Sequence, residues 1–251
     1  MHNTNPTNTD LKNRSHSSPS SRRESPATNW MKIAIIGGTG HLGEGLSIRW
    51  AQKNEIIIGS RKPEKAVEAA ERYLSEMKSL GCDTSKVEIR GMGNQDASNV
   101  ADLIVLAVPY KHVFKTLESI YSELENKILV TPIVPMKKVG DHFEYTPPKQ
   151  GSAALAIQES VPDSTKVVSV YHNIPSCKLK DTSCDLGYDA VICADDDEAK
   201  QMIIDLTKEM NCLRPLYGGP LAVSNTVESI TPLLLNLAIM NNLKDLGVNF
   251  S

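Results

Sequence analysis

Lys32-Ile33-Ala34-Ile35-Ile36-Gly37-Gly38-Thr39-Gly40-His41-Leu42-Gly43 is the stretch that decides the fold. An apolar strand runs straight into glycines at 38, 40 and 43, and a helical pattern follows. This is the first strand, turn and helix of a dinucleotide-binding unit. Each glycine has its own task. Gly38 lets the chain turn tightly, Gly40 lets the backbone approach a pyrophosphate, and Gly43 lets the helix pack close to its strand. Around them Thr39, His41 and Leu42 open the helix, whose free N–H groups suit phosphate oxygens.

The next strand reads Glu55-Ile56-Ile57-Ile58-Gly59 and ends in Ser60-Arg61-Lys62-Pro63-Glu64-Lys65. An NAD site usually carries an acid here, about 20 residues beyond the glycines, to bind the ribose hydroxyls. This chain offers Ser60 and Arg61 instead, with Lys65 one turn into the following helix. A hydroxyl and two cations suit a 2′-phosphate, and Arg61 can both pair with its oxygens and stack on the adenine face. The expected dinucleotide is therefore NADP.

Composition agrees with an ordinary globular protein. Of 251 residues, 40% are hydrophobic and 23% charged. The net charge of −3 does not point to nucleic acid or to a membrane surface. The five cysteines, 82, 177, 184, 193 and 212, form no C-x-x-C pair. They read as reduced thiols of a cytoplasmic protein, with no metal site expected. Residues 1–30 are rich in Asn, Thr, Ser and Pro, carry no apolar signal core, and are expected to be a disordered extension, with Met31 as the biological start.

Beyond the opening unit, strands and helices alternate. Helices are expected from about Leu42 to Lys53, Pro63 to Leu80, and Ser152 to Ser160, with a further helical pattern from Val113 to Leu124. Strands are expected at 87–89, 101–108, 127–131 and 167–171. The pattern predicts a doubly wound, Rossmann-type parallel α/β sheet over 31–175, with ligands beyond the carboxyl ends of its strands. Those ends hold Val108-Pro109-Tyr110, Pro132-Ile133-Val134-Pro135 and His172-Asn173-Ile174-Pro175. Residues 176–251 are expected to form a small C-terminal α/β domain. There, strands at 190–193 and 213–216 flank a helix opened by Asp195-Asp196-Asp197-Glu198, an acid run that reads as cap and dipole partners. The last helix, with Ile230, Leu233, Leu234, Leu235, Leu237, Ile239 and Met240, is apolar on almost every face. It is too short to span a membrane and is expected in a subunit interface, making the protein a homodimer or higher homo-oligomer.

From Met31 onward the chain resembles the NADPH-dependent F420 reductases. The likeness rests on Ile35 to Gly43, Gly59-Ser60-Arg61, Val134-Pro135, Tyr171-His172-Asn173-Ile174-Pro175, Cys193 to Glu198, Leu213-Arg214-Pro215-Leu216, Gly219-Pro220-Leu221 and Val227 to Leu233, which occur in order. The resemblance implies hydride transfer between the nicotinamide of NADP and C5 of the deazaflavin coenzyme F420. It implies that Thr39, His41, Leu42, Ser60, Arg61 and Lys65 hold the adenosine and phosphates. Val108, Pro109 and Tyr110 would lie by the nicotinamide half, and His172 and the Ile174 backbone would contact the deazaflavin beside Asn173. His172 would then orient that ring or stabilise charge on its reduced form, not serve as an essential base. The chain departs from the family at Asn173, where Thr is common, and at Tyr110, where Trp is common. It departs also at Asn225, in a turn that more often contains Arg. No Ser/His/Asp arrangement, paired carboxylates or metal cluster is visible, and direct hydride transfer needs none.

Three other readings share the first unit. An NADP-dependent imine or keto-acid reductase would need a proton donor on a long C-terminal helical domain, for which the region after Pro175 is short. A non-catalytic NADP sensor would need no second ring site. A membrane ferric reductase would need transmembrane haem segments, which the sequence does not show.

Overall fold

The computed structural model describes residues 30–182, 185–211 and 213–251. Cys184, Cys212 and the N-terminal stretch 1–29 lie outside the described residues.

The glycine-rich opening folds as read. β1 (Lys32–Ile36) leads through the turn into α1 (His41–Trp50), then β2 (Glu55–Ser60) and α2 (Pro63–Ser79). Pro63 stands at the first position of α2, where its missing N–H costs nothing. β3 (Ile89–Gly93), α3 (Asn94–Val100) and β4 (Leu103–Leu106) follow. α4 (Val113–Ser119) and β5 (Ile128–Thr131) come next, and then a hairpin of β6 (Met136–Val139) and β7 (His142–Tyr145). α5 (Ala153–Gln158), β8 (Lys166–Ser169) and α6 (Ser176–Lys180) complete the part up to residue 180. The remainder holds β9 (Tyr188–Ala194), α7 (Asp197–Lys208), β10 (Leu213–Gly219) and α8 (Ser224–Asn241).

Among the described residues, eight strands form one sheet in the order β10-β9-β8-β5-β4-β1-β2-β3. The six strands from β3 to β8 run parallel, and β9 pairs antiparallel to β8 with β10 parallel to β9. The inner parallel strands β1, β2, β4, β5 and β8 are buried along most of their length, which is why they read as apolar runs, whereas β3 is a partly exposed edge strand. One core layer packs Ile33, Ile35, Leu46, Trp50, Tyr73 and Ile203 on one face of the sheet. The other packs Ala34, Ile36, Ile104, Leu117 and Ile157 on the opposite face.

Several expected elements shift. The third strand lies at 89–93, not 87–89. α2 crosses so close to Gly91 that a Cβ there would meet the Ala66 backbone at 2.1 Å, so the glycines that disguised the strand are what lets the helix pack. The expected strand 167–171 ends at Ser169, because Tyr171 turns into the left-handed region at φ 68°. The 113–124 helix stops at Ser119 and resumes as a 3₁₀ turn, Tyr121–Leu124. The two C-terminal strands extend the main sheet.

Candidate functional site

The turn after β1 shows what its glycines are for. Gly37 sits at φ 76° and its N–H donates to the Gly59 carbonyl at 2.9 Å, tying the turn to the end of β2. A Cβ on Gly43 would lie 2.4 Å from the Gly38 oxygen, so helix and turn touch directly. A Cβ on Gly40 would meet nothing within 4 Å. The backbone there faces open space, as a site for a bulky phosphate requires. Tyr73, fully buried on α2, donates from its hydroxyl to the Gly38 carbonyl at 2.7 Å and so braces the turn from below. Burial pushes its phenol pKa up to about 12, so the hydroxyl stays a donor. α1 is itself held down, because Gly45 lets α6 approach to a distance at which a Cβ would meet Leu179 Cβ at 2.5 Å.

Three cavities run along the carboxyl ends of the parallel strands. The first, about 160 Å³, is lined by Thr39, Ser60, Arg61, Asn94, His112 and Thr116 together with Val108 and Pro109. Arg61 is exposed, and among the described residues it has no carboxylate partner. The Ser60 hydroxyl accepts from the Lys62 N–H at 3.2 Å, which shapes the bend after β2. Lys65 stands exposed on the first turn of α2 and does not line this cavity.

The second cavity, about 480 Å³, holds Thr39, Gly40, His41, Leu42 and Gly43 against Val108, Pro109, Tyr110, Met136 and His172. It shares Gly37, Thr39, Val108 and Pro109 with the first. The Tyr110 ring packs edge-on to Phe114 at 5.9 Å, and burial raises its pKa, with the Glu228 charge adding to the effect.

The third cavity, about 410 Å³, is lined by Tyr171, His172, Asn173, Ile174, Leu234 and Leu235 among others. It shares Leu42, Pro132, Met136, His172 and Thr231 with the second. Its chemistry centres on two buried side chains. His172 Nε2 lies 3.2 Å from the Ser169 hydroxyl, and its Nδ1 is buried without a partner. Desolvation lowers its pKa to about 3, so the imidazole is neutral. Asn173 donates from Nδ2 to the Asp189 carbonyl at 3.2 Å, and its Oδ1 is also buried and unpartnered. Buried polar atoms without partners are rare in folded proteins. Here two belong to adjacent residues that line one largely apolar cavity.

The left-handed Tyr171 makes this possible. Its side chain goes inward, where its hydroxyl lies 2.7 Å from Thr207 Oγ1 and its ring meets Trp50 edge-on at 5.8 Å. His172 is thereby turned to the ligand side. α8 closes the cavity, and its Thr231 hydroxyl donates to the His172 carbonyl at 2.9 Å. Glu228, one turn earlier, accepts from the Ala153 and Ala154 N–H groups and from the Tyr145 hydroxyl at 2.7–3.0 Å. It thus ties α8 to α5 and to the hairpin. Burial raises its pKa against the pull of those hydrogen bonds.

The structure therefore brings Gly38, Thr39, Gly40, His41, Leu42, Gly43, Ser60, Arg61, Val108, Pro109, Tyr110, His172, Asn173 and Ile174 to a row of cavities that share wall residues or to the turn that forms them, and does not bring Lys65 to their walls. Sequence reasoning passed over Asn94, His112, Met136 and Thr231. Thr231 lay inside a quoted family stretch, and Met136 belongs to a hairpin the sequence reading did not foresee. The acid run is spent elsewhere. Asp196 caps α7 by accepting from the Ala199 N–H at 2.8 Å, and Asp195 accepts from the Leu221 N–H at 2.9 Å. Among the described residues, no group of three His, Cys, Asp or Glu side chains is placed to hold a metal ion, and no helix is long and apolar enough to cross a membrane.

Known proteins resemble the chain over nearly its whole described length. Residues 32–135 match the family model of the coenzyme F420-dependent NADP oxidoreductases. An F420-dependent NADP reductase of Methanocaldococcus jannaschii is 38% identical over 223 residues, covering 88% of this chain and 98% of that protein. One from Methanothermobacter thermautotrophicus is 35% identical, covering 88% and 95%. A solved structure from Arthrobacter sp. FB24, a candidate F420-dependent NADP reductase, superposes with a TM-score of 0.74 at 21% identity over 88% of this chain and 99% of that one, which shows the shared fold. An imine reductase from Streptomyces aurantiacus shares the fold at a TM-score of 0.54 and 13% identity, with 84% of this chain and 63% of that one covered. The relatives do not favour the imine-reductase or sensor readings. By these relatives and by its glycine turn, the chain belongs to the family of F420-dependent NADP reductases.

Proposed function

We propose that the groove over the strand ends is where this F420-dependent NADP oxidoreductase passes a hydride between the nicotinamide of NADP(H) and C5 of coenzyme F420. The continuity of the three cavities carries this reading, since each shares wall residues with the next. Ser60 and Arg61 stand at one end, the glycine turn in the middle, and His172, Asn173 and Ile174 at the other.

The two coenzymes supply the redox chemistry when bound. The protein's work is binding, orientation and exclusion of water. Arg61 and Ser60 hold the 2′-phosphate, with Lys65 adding charge from the first turn of α2. Thr39, His41 and Leu42 present main-chain N–H groups of the α1 start to the pyrophosphate. Val108, Pro109 and Tyr110 support the nicotinamide half. The neutral His172 offers a hydrogen bond to the deazaflavin and no full charge, and Asn173 and the Ile174 backbone complete that wall.

Residues 31–175 serve as the NADP-binding part, and 176–251 supply the F420 wall and subunit contacts. The exposed Leu233, Leu237, Ile239 and Met240 of α8 suit a homo-oligomer interface. The free thiols of Cys82, Cys177 and Cys193 suit the cytoplasm.

Anaerobic mixing with F420 and NADPH, with NADH as control, tests the assignment. Bleaching of the F420 visible band with NADPH alone is expected. Tight NADPH binding without bleaching would overturn it.

A further inference from the structure

Asn94 is the first residue of α3, directly after β3, and it has no role in the reading above. The residue is only 8% exposed, and its Oδ1 is buried without a hydrogen-bond partner. It lines the small cavity with Ser60, Arg61, His112 and Thr116. A Cβ on Gly59 would lie 3.1 Å from Oδ1, which places the carboxamide under the last residues of β2.

The cavity's other polar groups do not satisfy it. The Thr116 hydroxyl donates to the His112 carbonyl at 2.8 Å, and Arg61 is exposed at the mouth. The missing partner must be a donor. A phosphate offers only acceptor oxygens to a carboxamide oxygen, so the phosphate belongs with Arg61 and not with Asn94. The walls narrow this further. Val108 and Pro109 form an apolar side, and the guanidinium of Arg61 can stack on the other, which makes a slot for a flat base. Adenine carries an exocyclic amino donor next to ring-nitrogen acceptors. A carboxamide matches that edge with two parallel hydrogen bonds, the pairing by which Asn reads adenine in nucleic acids.

We propose that Asn94 is an adenine-specificity residue, with Oδ1 accepting from the base's exocyclic amino group. This rests on the assignment of the small cavity to the phosphorylated adenosine of NADP(H).

The test measures dissociation constants by calorimetry for NADPH, for its hypoxanthine analogue and for NADH. Hypoxanthine replaces the amino donor with a carbonyl. The unaltered protein is expected to bind the analogue at least about tenfold more weakly than NADPH, the order of discrimination a bidentate pair supplies. Asn94→Ala is expected to bind both alike. Equal binding of the two by the unaltered protein overturns the proposal, and that comparison needs no variant to fold. A preference that survives intact in Asn94→Ala also overturns it. Equal binding of NADPH and NADH would instead sink the cavity assignment, and the proposal with it.

Discussion

The Thr231 hydroxyl donates to the main-chain carbonyl of His172 at 2.9 Å, so the last helix holds the loop that carries the most distinctive side chain of the groove. His172 enters the cavity directly after a left-handed residue, and its carbonyl has this helix-borne partner. Thr231→Val keeps the shape and removes the donor. It is expected to raise KM for F420 about fivefold with NADPH affinity unchanged, and Thr231→Ser is expected to restore it. Steady-state kinetics with each coenzyme varied in turn will check this. A change confined to NADPH would refute it.

Tyr73 and Gly38 give a prediction on stability. Tyr73→Phe leaves a buried carbonyl unpaired, at a cost of about 1–3 kcal/mol. For a chain of this size that corresponds to a fall in Tm of roughly 2–10 °C. The turn loosens at the same time, so NADPH affinity is expected to drop several-fold. Thermal melts and a binding titration on the same preparation will read both. A variant that loses neither would show that the brace is idle.

His172 gives a prediction in pH. Its folded pKa, lowered to about 3, lies below the unfolded value of about 6.5. Between those values the unfolded chain holds one more proton than the folded one, so stability falls as pH is lowered from about 6.5 toward 3. The contribution reaches about 1.4 kcal/mol per pH unit. Denaturant titrations from pH 7 to pH 4 on the protein and on His172→Asn are expected to show a shallower loss in the variant. For the same reason, no inflection from His172 is expected in the rate of F420 reduction between pH 6 and 8.

Arg61→Ala is expected to weaken NADPH binding by about 10- to 100-fold and NADH binding little, since a charge-assisted bond to phosphate is lost only with the former. Equal effects on the two nucleotides would remove Arg61 from the 2′-phosphate.

The parts of the molecule legible in the sequence are those whose requirement is local. Gly38 and Gly43 are each demanded by contacts within the turn, and Arg61 follows from its place at the end of β2. The hairpin of β6 and β7 was not legible. Met136-Lys137-Lys138-Val139 and His142-Phe143-Glu144-Tyr145 are polar and short, and β7 finds its partner in α8, about 90 residues away. Tyr171 continued the apolar run of β8, and only its tertiary partners Thr207 and Trp50 explain why it leaves the strand. Asn94 carried no signal, because an unpaired carboxamide oxygen is a property of the folded cavity. The attachment of β9 and β10 to the main sheet depended on pairings such as Ser169 with Cys193, which no local pattern announces.

The reversal of direction at β9 has an electrostatic consequence. Because β9 runs against β8, its carboxyl end emerges at the opposite edge of the sheet from the groove, where Asp196 pairs with Lys166 at the start of β8. The run Asp195 to Glu198 therefore follows the end of β9 that lies toward the start of β8. The seven residues of β9 alone span about 20 Å, beyond the roughly 8 Å over which charge is felt at physiological salt. Two anionic coenzymes can thus approach a net negative protein without meeting its densest acidic run, and their association rates should respond to salt through Arg61 and its neighbours.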